Sequence, residues 1–165
     1  LEGAIERGLA LGFDGFNAAS SANIPTREGP GDVSGTMTIT GQVDQGNSAN
    51  KGMRLDMALV GYADVEDVPL GEDDATVQIV YATDDVSTPH LDLSLRGIPD
   101  GTLEGTLVGD FVLAGDLEGR LTLDIAFAGS LMPDGDATLR EPDTTTVQGT
   151  ATNAAGGVYT IDLTL

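Results

Sequence analysis

Apolar residues recur at every second position in this chain, and from one segment to the next they keep to odd numbers. The series runs through Val33, Met37, Ile39, Val43, then Met53, Leu55, Met57, Leu59, then Val77, Ile79, Tyr81 and Leu91, Leu93, Leu95. It continues with Leu103, Leu107, Phe111, Leu113, then Leu121, Leu123, Ile125, Phe127, Leu131, then Val147, Ala151 and Tyr159, Ile161, Leu163, Leu165. Even positions carry mainly Thr, Asp, Ser, Arg, Gln and Glu. A period of two marks strands with one buried and one wet face.

The unbroken parity also constrains the turns. A two-residue hairpin loop would pair odd with even positions and reverse the buried set, so odd-length loops are expected. Pro99-Asp100-Gly101 and Leu117-Glu118-Gly119 have the composition of three-residue loops with Gly last. Such loops would set Arg96 opposite Glu104 and Asp116 opposite Arg120 on the wet face, two opposite-charge pairs.

Eight strands are predicted, near 33–44, 52–64, 75–83, 90–98, 102–115, 120–131, 144–153 and 157–165. The fold class is therefore all-β: an eight-stranded antiparallel up-and-down meander, expected to close as a β-barrel. Residues 1–20 differ, with Leu1, Ile5, Leu9, Phe13 and Phe16 at helical spacing. This amphipathic helix is expected on or inside the barrel, although Gly3, Gly8, Gly12 and Gly15 weaken it. Residues 21–32 read as a linker, and 33–165 as the meander of a single domain spanning 1–165.

Composition enters where it excludes classes of function. A net charge of −20, with 27 acidic residues against 7 Lys and Arg, lacks the basic footprint needed for nucleic acid. Cysteine is absent, which removes disulfides, thiolate metal sites and a Cys nucleophile. No apolar run has the length of a membrane helix, and an aromatic content of 4% is too small for the girdles of an outer-membrane barrel. The chain opens at Leu1, which is expected of a processed or trimmed product without its targeting segment. Acidic surface charge suits an extracellular or periplasmic protein, with or without a surface tether.

Catalytic signatures are missing from the sequence: it has no GxSxG elbow, HExxH helix or Walker loop, and its single His90 has no identifiable nucleophile. A non-enzymatic role is expected. Inward glycines such as Gly35, Gly41, Gly97, Gly105, Gly129 and Gly149 allow barrel curvature, helix packing or a greasy cavity. In the last case Met37, Met57, Leu93, Phe111 and Phe127 would bind an apolar, lipid-like ligand. The competing expectation is a structural or adhesive surface module with a solid core. On the wet face, Val60 opposite Val80 and Val108 opposite Ala128, with Tyr62 nearby, form an apolar patch. Loops 65–74, 99–101 and 132–143 are expected at one end, where Asp73, Asp74, Asp134 and Asp136 supply the oxygen-rich surroundings that Ca²⁺ requires.

Overall fold

The computed structural model describes residues 1–65, 68–69, 76–84 and 87–165. Helix α1 (Glu2–Asn17) is followed by β1 (Arg27–Pro30), β2 (Ser34–Val43), β3 (Lys51–Ala63), β4 (Val68–Pro69), β5 (Thr76–Val77) and β6 (Ile79–Ala82). Then come β7 (His90–Arg96), β8 (Thr102–Gly115), β9 (Gly119–Asp134), β10 (Ala137–Arg140), β11 (Thr146–Asn153) and β12 (Val158–Thr164). The segment expected as linker thus contains a short strand, β1.

Ten strands form one antiparallel sheet, while β4 and β5 pair separately. The sheet has eight lanes, because β6 and β7 follow one another between β3 and β8, and β10 and β11 follow one another along β9. Of the stretches 75–83 and 90–98, expected as neighbouring strands, Ile79–Ala82 and His90–Arg96 therefore share a lane, while Thr76–Val77 pairs with Val68–Pro69. One consequence is that the chain leaves β3 at the end opposite Pro99–Gly101 and Asp134–Asp136; most of loop 65–74, expected beside them, lies outside the described residues. Among the described residues the ladder ends at β1 and β12 without hydrogen bonds joining them. α1 packs against β1, β2, β3 and β10 and so touches both the first lane and the seventh.

Alternation places most of the core as the parity requires, although Val33 and Tyr159, expected on the buried face at the two ends of the series, are exposed. Met37, Ile39, Met53, Leu55, Met57, Leu59, Leu91, Leu95, Leu103, Leu107, Leu123 and Ile125 are all buried on one face. Each such aliphatic side chain contributes about 1.5–3 kcal/mol when removed from water. Helix residues Ile5, Leu9 and Phe13 join the same core.

Loop lengths keep the parity but shift the facing pairs. Ladder pairing stops at Arg96↔Thr102, leaving a five-residue turn, so Glu104 faces Ser94 rather than Arg96. Gly97, in the left-handed region at φ 69°, starts this turn two residues early. Likewise Leu113↔Gly119 and Val112↔Arg120 replace the expected Asp116–Arg120 pair. Arg120 instead meets Asp110 at 3.2 Å and Asp84 at 3.6 Å. Val108 faces Asp124 and His90, and Ala128 faces Glu104.

Parity breaks in two places. At Gly61 (φ 56°), β3 carries an extra residue against β2, where the register moves from Thr36↔Val60 to Ser34↔Ala63. An added residue in one strand reverses the side-chain faces beyond it. Tyr62, expected on the wet face, is consequently fully buried and faces Tyr81 rather than completing a Val60–Val80 pair. The second break is the β9–β10 hairpin, whose two-residue loop Gly135-Asp136 has Gly135 at φ 58°. It pairs Pro133 with Thr138 and turns the even-numbered Thr138 inward. Three extra residues between β10 and β11 restore the original parity at Thr146↔Ala128.

Candidate functional site

The five residues expected to line a cavity are all buried, and the structure shows what surrounds them. Met57 and Met37 lie against Gly8 of α1, so closely that a side chain on Gly8 would collide with the Met57 methyl group. One turn on, Gly12 leaves its backbone facing Leu55, Met53 and Leu91. Leu93 and Phe127 flank Gly105 across three adjacent strands, while Phe111 pairs with Leu121 near the far end of the sheet. The structure thus brings Met37 beside Met57 at Gly8 and Leu93 and Phe127 to either side of Gly105, and all five residues belong to one buried core.

The glycines that weaken α1 as an isolated helix are its contact face. Ala4, Gly8, Gly12 and Gly15 are buried along one side, and without Cβ atoms the helix axis can approach the sheet closely. The spacing of four between Ala4, Gly8 and Gly12 was the available sequence signal for this seam.

Of the residues considered for Ca²⁺, Asp134 and Asp136 are exposed on either side of Gly135 at the tip of the β9–β10 hairpin. Asp73 and Asp74 lie outside the described residues. Among the described residues, no group of three or more His, Asp or Glu side chains is placed to hold a metal ion. His90 Nδ1 lies 2.6 Å from Asp56 Oδ1 on the outer face, with both side chains largely open to solvent. An outer groove of about 580 Å³ runs across Arg54, Asp92, Ser94, Glu104 and Thr106.

A more apolar cleft lies where the inner face meets the turns 114–118 and 153–157. Leu113, Leu121 and Tyr159 supply the strand side and Leu117 the turn side of about 420 Å³, with Glu118 and Asn153 beside them. Asn153 builds this end. Its Oδ1 accepts hydrogen bonds from the Ala155 and Gly157 N–H groups at 3.0 and 2.8 Å, and its Nδ2 donates to the Tyr159 hydroxyl at 3.2 Å. Tyr159 is thereby pinned at its edge while 57% exposed, and Leu117 is 38% exposed. None of these cleft residues stood out in the sequence, although a leucine inside the polar turn Asp116-Leu117-Glu118-Gly119 was a signal.

At the first-strand side of the sheet, the buried Tyr62 hydroxyl makes no hydrogen bond of regular geometry but lies beside Asp64 and Arg7. Burial and the Asp64 carboxylate push its pKa well above the usual phenol range.

The fold and cleft define an all-β class: a helix-filled antiparallel meander with an apolar opening at one end. No helix among the described residues is long and apolar enough to cross a membrane. No protein-family model, curated protein or solved structure matches the chain.

Proposed function

We propose that this protein is a non-enzymatic module that binds an apolar small molecule, taken up at the Leu113–Leu121–Tyr159 cleft rather than deep among Met37, Met57, Leu93, Phe111 and Phe127. The observation that carries this reading is the cleft itself, about 420 Å³ of mainly apolar lining between the turn 153–157, held by Asn153, and the turn 114–118, tied to Gln78 through Asp116. Ligand sites are commonly concave, mostly apolar and largely pre-formed. Hydrocarbon burial would supply the affinity at about 0.8 kcal/mol per CH₂ group. The acidic surface supports an extracellular or periplasmic setting.

A second reading, a structural or adhesive module without a ligand, draws support from the close seating of Gly8 and Gly12 against Met57 and Leu55, which fills the inner face with the chain's own helix. Native mass spectrometry after exposure to a lipid extract separates the two. Binding at the cleft gives a retained mass that is lost in Leu117→Asp, a substitution at an exposed turn position. A wild-type protein that never retains added mass leaves only the structural reading.

A further inference from the structure

We infer that the ligand of the Leu113–Leu121–Tyr159 cleft carries a cationic head on its apolar body, as an alkylammonium does; this rests on the binding role proposed above. Charge at the rim is the first ground. Glu118 lines the cleft, and among the described residues it has no ion-pair partner. Arg120 also borders the cleft, but its guanidinium is held by Asp110 at 3.2 Å and Asp84 at 3.6 Å. Thr122 Oγ1 donates to the other oxygen of Asp110, fixing that arrangement in place. As an even-numbered residue of β9, facing Val112, Arg120 belongs to the outer face of the sheet, whereas Leu113 and Leu121 belong to the inner. The cation that an anionic head would need is therefore already matched by two carboxylates.

Tyr159 is the second ground. Its hydroxyl is tied to Asn153, which fixes the ring at the rim while more than half of the residue stays open to solvent. A positioned aromatic face attracts a cation through its quadrupole, most effectively where water is displaced. Third, the chain as a whole carries −20, a field that concentrates cations and repels anionic amphiphiles before contact. A second copy of the chain is disfavoured as occupant by the same charge.

The test is isothermal titration of the full chain at low salt with octyltrimethylammonium, octyl glucoside and octanoate, each below its micelle concentration. Amide and methyl NMR shifts at Leu113, Leu121 and Tyr159 report the site. The cation is expected to bind one per chain, about tenfold tighter than octanoate. Tyr159→Leu keeps the apolar lining and Glu118→Gln keeps the size, and each should weaken the cation roughly threefold more than it weakens octyl glucoside. Equal binding of all three probes, tighter octanoate, or cation binding at many sites indifferent to both variants overturns the cationic head and leaves the apolar cleft standing. Failure of all three to shift the cleft residues overturns the binding role together with this inference.

Discussion

The Asn17 side chain pairs with the backbone of Thr138 in both directions: its Nδ2 donates to the Thr138 carbonyl at 2.9 Å, and its Oδ1 accepts from the Thr138 N–H at 3.0 Å. Thr138 faces Pro133 across the β9–β10 hairpin, and a two-residue loop makes this a position whose N–H and C=O point away from the partner strand. The amide at the end of α1 therefore meets the outer edge of β10 as another strand would. Together with Arg140–Glu6 at 3.3 Å, it fastens the helix to the seventh lane while Gly8 and Gly12 seat it on the second and third.

Asn17→Ala should cost about 1–3 kcal/mol, because it leaves a partly buried donor and acceptor unpaired. Urea unfolding measures the loss, and hydrogen exchange at the Thr138 amide should accelerate more than at Leu95 or Leu107. Asn17→Asp keeps the acceptor and should recover part of the loss. If both variants match wild type, the amide clasp contributes nothing to the docking of α1 on β10.

Gly12→Leu tests the helix seam. A Cβ at Gly12 would already stand 2.9 Å from Leu55 Cδ1, so a full side chain must push α1 off the sheet. Overpacking of this kind costs about 1–3 kcal/mol. Leucine otherwise favours a helix over glycine by several tenths of a kcal/mol, so a stabilised variant would show that α1 is not seated as described.

Gly61→Ala isolates the backbone cost of the bulge in β3. No heavy atom lies within 4 Å of an added Cβ there, so the penalty reports the left-handed φ of 56° alone, about 1 kcal/mol. Unchanged thermal stability would mean that the strand abandons the bulge.

Much of the sheet was legible because alternation is a local property: burial of Met53, Leu55, Met57 and Leu59 follows from their spacing alone. Turn length was not, since Gly97 can open a turn as readily as Gly101 can close one, and the choice moved Glu104 from Arg96 to Ser94. Nor was the burial of Tyr62, which depends on one glycine bulging two residues from the strand end. Of the site, the buried methionines could be read, but not that Gly8 would occupy the space before them. The cleft was hidden for a related reason. Leu117 and Tyr159 belong to different hairpins, and only the pairing of Leu121 with Asn153 brings their turns to one place.

Alkaline pH should expose the cost of the buried phenol. The folded-state pKa of Tyr62 is raised, mainly by burial and then by Asp64, while the unfolded chain keeps the ordinary value of about 10. Its neutral form is thus favoured by folding, and the associated stability is fully present below pH about 10 and lost as pH rises toward the folded value. Tyr81 is shifted in the same direction, by burial and then Asp64, and adds to the loss. Tyr62→Phe removes the larger contribution along with a hydroxyl that has no regular hydrogen bond. At neutral pH the variant should match or exceed wild-type stability, and between pH about 9 and 11 its urea midpoint should fall less steeply. Parallel alkaline curves for the two proteins would mean that Tyr62 ionises as freely in the fold as out of it.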